Sequence, residues 1–267
     1  MSGHWEAYRE NMYFTDIDET PHAVKPMNCP GGLLVFKTGV VSYKQLPIRN
    51  AEFGVCHRHE LSGVLMGLFR VRSFTQDDAH IFCMREQIED EIVAIIDYIG
   101  AVMKRFGFGD AIAMSVSTRP EKYIGEPADW DAATEALKSA LTKTGYAFKI
   151  NLGEGAFYGP KIEVRIRDSL KREWQCGTVQ VDFSMPKRLG AEYVGADGAR
   201  HTPIMIHRAI VGSIERFIGI LIEHYGGKFP AWLAPVQVMV TSVKSYHVPD
   251  AVLQEYVHQT TGAPWNN

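Results

Sequence analysis

CHRHELSGVLMGLFRVRSFTQDDAHIF, residues 56–82, is the stretch that decides the fold. From Phe69 to Phe82 its residue types alternate, which predicts a strand, because successive side chains of a strand point to opposite faces. Residues 51–60 predict the partner strand, and the loop containing Gly63 and Gly67 is expected to close a long hairpin between them. The chain is therefore expected to be built around an antiparallel sheet.

One face of the strand predicted after the loop carries a row of mostly polar and charged side chains. Its members are Arg70, Arg72, Phe74, Gln76, Asp78 and His80. A solvent-facing strand of an antiparallel sheet gives the same pattern, and that alternative stays open at this point. The row also suits a binding site, with guanidinium groups at one end and an imidazole that can bind a metal at the other.

The composition is typical of a globular protein. Of 267 residues, 46% are hydrophobic and 22% are charged, and this length predicts one large domain or two smaller ones. The net charge of −3 does not favour a general polyanion binder, so contacts with nucleic acid are expected to be local. Apolar runs are too short to span a membrane, and a signal-peptide pattern is absent. Four widely spaced cysteines favour a cytoplasmic location over a secreted disulfide framework.

Periodic patterns predict the remaining elements of the chain. Apolar residues recur at helical spacing in segments that are expected to form helices: 33–40, 85–106, 129–144 and 207–224. Alternating segments are expected to form strands: 111–117, 146–150, 161–167, 176–184 and 236–240. Each of the strands over 161–167 and 176–184 has one apolar and one polar face, which indicates a sheet with one working surface.

Two local features are open to more than one interpretation. Arg216 lies in the middle of an otherwise apolar segment, and a buried arginine is costly unless it is paired. Its side chain either reaches the surface or pairs within the helix, or it points at a bound anion. The glycine-rich segment 152–161 is either a plain turn or a place where a ligand approaches the backbone. Since no GxxxxGK[ST] or GxGxxG loop is present, arginines on a sheet would have to hold a nucleotide.

Several longer blocks occur in a fixed order along the chain. They include KPMNCPG, FTQDDAHIF, STRPEK, LGEGAFYGPKIE, QCGTVQ, MIHRAI and WLAPVQV. From about Gly3 to Val240 the chain resembles the catalytic core of bacterial threonyl-tRNA synthetases, which are class II aminoacyl-tRNA synthetases. The resemblance implies an α+β fold with an antiparallel sheet flanked by helices. It also implies an enzyme, a threonine–tRNA ligase, that activates L-threonine with ATP and Mg²⁺ and transfers it to the 3′ end of tRNA(Thr).

The resemblance assigns roles to residues that match the family's motifs. The implied catalytic residues are Arg58 on the α-phosphate, Arg216 on the γ-phosphate side, and Gln76. The residues implied to place the nucleotide are Glu60, Arg70, Phe74, which would stack on adenine, and Gln175. The residues implied to meet threonine or the ribose of the tRNA terminus are Asp78, Tyr158, Gln180 and His4, with Gln76 also in the threonine pocket.

Zinc is the second cofactor that the resemblance implies, with Cys29, His80 and His207 as its ligands. Their wide spacing matches no short zinc motif, and by itself Cys29 is as well explained as a small buried hydrophobe. Zinc would answer a selectivity problem, because an apolar pocket separates near-isosteric amino acids such as threonine and valine by only ~100-fold.

Domain boundaries and alternatives follow from the same comparison. Residues 1–234 correspond to a catalytic core without motif 1, which forms much of the homodimer interface in the family. Residues 235–267 correspond to the truncated start of an anticodon-binding-like domain. The two alternatives are a paralogue that activates an amino acid for a non-tRNA acceptor and a non-catalytic remnant.

Overall fold

The secondary structure is described for residues 2–109 and 111–239 of a computed structural model. The strands are β1 (Tyr13–Ile17), β2 (Thr20–Val24), β3 (Val41–Ser42), β4 (Ile48–His57), β5 (Ser73–Cys83), β6 (Ile112–Ser117), β7 (Phe148–Asn151), β8 (Lys161–Arg167), β9 (Glu173–Asp182), β10 (Tyr193–Val194), β11 (Arg200–His201) and β12 (Ile204–Ser213). The helices are α1 (His4–Tyr8), α2 (Cys29–Phe36), α3 (Ile88–Arg105), α4 (Pro127–Thr144), α5 (Ser184–Arg188) and α6 (Ile214–Tyr225).

A seven-stranded sheet with the order β4-β5-β12-β9-β8-β6-β7 organises the unit that extends to His224. Its neighbouring strands are antiparallel except for β6 and β7, which are parallel. Helices α3 and α4 pack against each other and against strands of this sheet. The predicted α+β fold, an antiparallel sheet flanked by helices, is confirmed, with one parallel pair added at its edge.

The helical stripes predicted from the sequence form the apolar layer beside the sheet. Ile92, Ile99 and Met103 of the predicted stripe on α3 are fully buried, as is Leu137 of α4. Each such side chain contributes about 1.5–3 kcal/mol when it leaves water. Because α3 and α4 occupy one face of the sheet, the polar rows of its strands are left to the other face.

The long hairpin at one edge of the sheet pairs β4 with β5 from Ile48 opposite Phe82 to His57 opposite Ser73. The strand therefore begins at Ser73, and the prediction that it begins at Phe69 is wrong. Residues 69–72 belong to the hairpin connection. Arg72 donates from Nε to the carbonyl oxygen of Glu60 and from Nη2 to the hydroxyl of Ser62, so its guanidinium binds the loop rather than extending the polar row.

The segment 207–224 is not one helix. Its first part belongs to β12, a central strand between β5 and β9, and α6 begins only at Ile214. A strand buried on both faces is apolar without alternation, so its sequence cannot be told from a buried helix by period. Gly212, with φ of +74°, lies at the change from strand to helix.

The short helix predicted over 33–40 begins earlier, at Cys29, and ends at Phe36. Pro30 explains the early start, since proline is favoured in the first helical turn, where its missing N–H is not needed. Cys29 consequently stands at the N-terminal end of a helix rather than inside a turn. Its side chain packs into the apolar cluster around Leu33, Phe36 and Phe82.

Beyond α6, residues 226–239 contain no helix or strand, which contradicts the strand predicted at 236–240 as far as residue 239. Residues 240–267 lie outside the described part of the chain, and so does most of the predicted domain 235–267. Within residues 2–109 and 111–239, no helix has both the length and the apolar character needed to cross a bilayer.

Candidate active site

Two adjoining pockets lie beside the polar faces of β5 and β9. The arginine pocket has a volume of about 160 Å³, and its lining includes Arg58, Glu60, Arg70, Phe74, Gln76, Gln175 and Arg216. The thiol–imidazole pocket has a volume of about 320 Å³, and its lining includes Cys29, Asp78, His80, Tyr158, Gln180 and His207. Arg58, Gln76 and Gln175 line both. All residues predicted to form the site are brought together here except His4, which lies beside Cys29.

Two guanidinium groups of the arginine pocket are fixed by neutral oxygens. Arg216 donates from Nε to the carbonyl of Phe69 at 2.7 Å and from Nη1 to the carbonyl of Gln175 at 2.9 Å. Arg58 donates from Nε to the carbonyl of Pro26 at 3.1 Å. Burial lowers the pKa of Arg216, but an arginine remains protonated at neutral pH. Since carbonyls hold these side chains without neutralising them, their charges are available to an anion.

Arg70 differs from these two because a carboxylate already pairs with it. Its Nη2 lies 3.0 Å from Oε2 of Glu60, and the pair is partly exposed. The aromatic ring of Phe74 faces Arg58, whose guanidinium carbon is 5.1 Å from the ring centroid. The pocket therefore offers an aromatic surface and cations on the same side, which suits a base attached to phosphates.

Three potential metal ligands converge in the thiol–imidazole pocket. The Sγ of Cys29 and one ring nitrogen each of His80 and His207 all lie within 4.8 Å of one another. His80 and His207 are directly opposite on β5 and β12, while Cys29 comes from the start of α2. All three residues are buried. The fold thus joins residues that are far apart in the sequence.

Burial favours the neutral forms of Cys29 and His80. Burial, with a smaller effect of Asp78, raises the pKa of the Cys29 thiol well above its usual range. Burial, followed by the nearby His207, lowers the pKa of His80 well below its usual range. Asp78 Oδ1 is 3.5 Å from Nε2 of His80, but a neutral ring does not form an ion pair with it.

The donor set fits zinc. The Nε2 atom of His80 is buried and has no hydrogen-bond partner among the described residues. Leaving a buried nitrogen unsatisfied costs free energy unless a water or an ion interacts with it. Cysteine sulfur, bound as the thiolate, and histidine nitrogen are ligand types that zinc prefers, and three protein ligands leave zinc open to a substrate group. A bound cation would also stabilise the thiolate that burial alone disfavours.

His207 is fixed by a carboxylate that the sequence did not single out. Its Nε2 lies 3.2 Å from Oδ2 of the fully buried Asp182. The other oxygen of Asp182 accepts from the backbone N–H groups of Ser184 and Met185, at 2.7 and 2.9 Å. Asp182 lies two residues after Gln180 and therefore on the same face of β9. The strand period of two was the sequence signal that could have identified it.

Asp78 is held by a second residue that sequence reasoning missed. Its Oδ2 accepts from Nδ2 of Asn28 at 3.2 Å, and Asn28 in turn accepts from Nζ of Lys25 at 2.7 Å. A Cβ at Gly54 would stand 2.3 Å from Nδ2 of Asn28, so only glycine leaves room for this amide. Burial raises the pKa of Asp78 to about 6.

Tyr158 and His4 complete the surroundings of the cluster. The Tyr158 hydroxyl donates to Oε1 of Gln180 at 2.6 Å, and burial raises its pKa well above the usual range. Nε2 of His4 lies 3.5 Å from Sγ of Cys29 and 3.2 Å from Sδ of Met27. Burial, and after it the charge of His207, lowers the pKa of His4.

Thr178 is a further pocket residue that the sequence did not identify. It lines both pockets, and its buried hydroxyl has no hydrogen-bond partner within the described residues. It shares its face of β9 with Gln180, so the same period of two indicates it.

Comparison with known proteins adds a family and several relatives. Residues 13–225 match the model of the tRNA synthetase class II core domain (G, H, P, S and T). A threonine–tRNA ligase of Clostridium kluyveri is 59% identical over 242 residues, which are 91% of this chain and 38% of the relative. A threonine–tRNA ligase of Thermotoga maritima is 57% identical over 247 residues, covering 92% of this chain and 38% of the relative. The chain thus spans less than half the length of these curated relatives.

A solved structure from the same group of proteins is also similar to this chain. The crystal structure of the RNA binding domain of threonyl-tRNA synthetase from Cryptosporidium parvum superimposes with a TM-score of 0.84. Its sequence is 49% identical, and the match covers 88% of this chain and 58% of that one. The match indicates a shared backbone arrangement over most of the chain.

Proposed function

Because the chain belongs to the class II tRNA synthetase core family and resembles its threonyl members, we propose that it activates L-threonine with ATP and transfers the threonyl group to the 3′ end of tRNA(Thr). The observation that carries the proposal is the convergence of Cys29, His80 and His207 directly beside the arginine pocket. The two pockets share residues, so an amino acid in one lies next to a nucleotide in the other.

In the first step the carboxylate of threonine attacks the α-phosphorus of ATP, and pyrophosphate leaves. The protein has to position the two reactants and stabilise the charge that develops. Arg58 lines both pockets, so it is assigned to the α-phosphate at the point of attack. Arg216 lines only the arginine pocket and is assigned to the γ-phosphate side. Mg²⁺ accompanies ATP as part of the substrate.

Binding of the nucleotide base falls to residues at the hairpin end of the arginine pocket. Phe74 is assigned to adenine, and Glu60, Arg70 and Gln175 are assigned to the placement of ATP. The ion pair of Glu60 with Arg70 leaves Arg70 less free to meet a phosphate than Arg58. We therefore assign Arg70 to orientation of the nucleotide rather than to stabilisation of the reacting group.

Selection of threonine falls to the thiol–imidazole pocket. A zinc ion held by Cys29, His80 and His207 would supply open coordination positions for the amino and hydroxyl groups of threonine, which valine cannot fill equally. Asp78 accepts a hydrogen bond from the same polar groups, and Gln76, Tyr158 and Gln180 line the rest of the pocket. His4 is assigned to the acceptor ribose, next to Cys29.

The proposal is tested by threonine-dependent ATP–pyrophosphate exchange on the full chain, followed by charging of tRNA(Thr) and by metal analysis. We expect exchange with threonine, much weaker exchange with valine, one zinc ion per chain, and charging of tRNA. Exchange without charging would indicate an amino acid activated for another acceptor. A zinc-loaded chain that binds ATP but gives no threonine-dependent exchange would overturn the proposal.

A further inference from the structure

The pairing of β12 with β5 is interrupted directly beside the arginine pocket. Ala209 pairs with Asp78, and regular pairing resumes only at Ser213. Residues 210–212, which we call the bulge, therefore lie opposite Asp77 alone. A bulge leaves backbone groups without ladder partners, and those groups need another acceptor when they are buried.

The side chain of Asp77 supplies that acceptor. Its Oδ2 accepts from the backbone N–H of Ile210 at 2.8 Å, and its Oδ1 accepts from the N–H of Gly212 at 2.7 Å. The N–H of Val211 is 3.2 Å from both oxygens. One carboxylate thus replaces the strand partner along the whole bulge.

A neighbouring strand confines the bulge as well. Gly212 has φ of +74°, and a Cβ there would come within 2.5 Å of the carbonyl oxygen of Cys176 on β9. The bulge therefore sits between the Asp77 carboxylate and the backbone of β9. Loss of the carboxylate would free the backbone on one side only, and it would shift toward Asp77.

The bulge leads directly into the helical turn that carries Arg216, whose guanidinium is also held by the carbonyls of Phe69 and Gln175. The helix α6 starts two residues after Gly212, and its backbone at Arg216 donates to Oγ of Ser213 at 3.2 Å. Gly212, Ser213 and Arg216 all line the arginine pocket, whereas the Asp77 side chain is not part of its lining. A displaced bulge would move Ser213 and the first turn of α6, and with them the guanidinium.

We propose that Asp77 is a positioning residue for the nucleotide, which acts by holding the bulge and thereby fixing Arg216 in the arginine pocket. The inference rests on the proposed function in one respect, that the pocket binds ATP. It adds a residue whose side chain meets neither the nucleotide nor threonine.

The experiment is a double-mutant cycle read by ATP affinity and by the KM for ATP. The variants of the full chain are Asp77→Asn, Asp77→Ala, Arg216→Ala and the two combinations. We expect Asp77→Ala to weaken ATP binding by about ten-fold and Asp77→Asn by less, because one amide oxygen can still accept. In the Arg216→Ala background the same changes should have little further effect, since residues that act through one another are not additive.

A purely structural role would give a different set of results. Equal fold-losses of ATP affinity in both backgrounds, or a lowered melting temperature with unchanged ATP affinity of the folded protein, would overturn the inference. Asp77→Asn provides the same cycle should Asp77→Ala not fold. Asp197→Asn is the control, because Asp197 also holds a backbone N–H, that of Ala199 at 3.0 Å, in a turn outside both pockets.

Failure of the inference can be separated from failure of the proposed function. If the unaltered chain binds ATP but gives no exchange with threonine, while the variants show a non-additive cycle, the role of Asp77 stands and the proposed function does not. If the unaltered chain gives threonine-dependent exchange but the losses of ATP affinity in the variants are additive, the proposed function stands and the role of Asp77 does not. A chain without measurable affinity for ATP would overturn the inference directly. The zinc content should not change in either Asp77 variant.

Discussion

The arginine pocket and the thiol–imidazole pocket lie side by side and share Arg58 and Gln76, yet the side chains that characterise them differ in charge. In the first, Arg58 and Arg216 remain charged and are held by backbone carbonyls. In the second, burial shifts the pKa values of Cys29 and His80 toward their neutral forms. A pocket with permanent cations suits an anion, whereas a buried thiol and imidazole in their neutral forms suit a metal cation. The types of side chain, arginines in one pocket and a thiol with imidazoles in the other, therefore give the two pockets different ligand preferences.

The strongest test of this division is the removal of a cation from the boundary. We expect Arg58→Ala to lower threonine-dependent exchange by about 10²–10³-fold, the usual cost of losing one group that stabilises the transition state. Zinc content should not change, because Arg58 is not one of the three clustered ligands. Exchange rates and metal analysis measure the two effects.

Arg200→Ala is the matched control for Arg58→Ala. It removes a guanidinium that pairs with Glu192 on the surface, at 2.9 Å, and exposed pairs contribute little. We expect no change in exchange. Loss of zinc in Arg58→Ala would show that the two pockets are not separate sites, and this result would break the comparison.

Asp78→Ala tests the thiol–imidazole pocket. We expect it to lower kcat/KM for threonine by about 10–150-fold, since a hydrogen bond to a charged group contributes about 1.5–3 kcal/mol. The preference for threonine over valine should fall as well, because Asp78 addresses polar groups of the substrate. Equal losses in ATP affinity and threonine use would contradict the assignment of Asp78 to the amino acid. Titration with ATP alone and exchange kinetics with each amino acid distinguish these outcomes.

The sequence predicted part of this arrangement, for a simple reason. Alternation along β5 placed Phe74, Gln76, Asp78 and His80 on one face, and the structure places all four beside the pockets. The period of two is a local property of a strand, so it can be read without knowledge of the fold. It failed at Arg72, because the strand begins only at Ser73 and the preceding residues follow the hairpin loop.

Long-range contacts were outside the reach of local patterns. The convergence of Cys29 with His80 and His207 followed only from resemblance to a family, since nothing in the spacing joins them. The contact of Asn28 with Asp78 and the bulge opposite Asp77 depend on how distant strands and loops meet. The start of α6 was missed for a related reason, because β12 is buried on both faces and carries no alternation.

Asp182→Asn tests whether the thiol–imidazole pocket is built for a metal. The amide can still accept from the start of α5 but presents an N–H to His207, so the imidazole loses its acceptor. We expect metal affinity to fall by about 10–100-fold, as is usual when the partner of a ligating histidine is changed. Competition with a chelator of known affinity measures the change. ATP affinity should stay the same.

Asp168→Asn is the control for Asp182→Asn, because Asp168 is also buried and also accepts from backbone N–H groups, those of Leu170 and Arg172 at 2.9 Å. It lies outside the ligand cluster, and zinc affinity should not change. If both variants lost zinc equally, general destabilisation rather than the orientation of His207 would explain the loss.

The smallest expected effect belongs to Asn28→Ala, which leaves Asp78 in place but removes the amide that donates to it. The Asp78 carboxylate itself stays available to the substrate, so we expect a loss no larger than that of a typical intramolecular hydrogen bond, about 0.5–1.5 kcal/mol, and a rise in the KM for threonine of about 2–10-fold. The KM for ATP should stay the same, because Asn28 is not among the residues that line the arginine pocket. Asn151→Ala is the matched control, as its amide donates to Ser115 at 3.2 Å near the other edge of the sheet. An equal rise in both KM values would mean that Asn28 supports the part of the site that the two pockets share around Arg58. It would contradict the assignment of Asn28 to Asp78 alone.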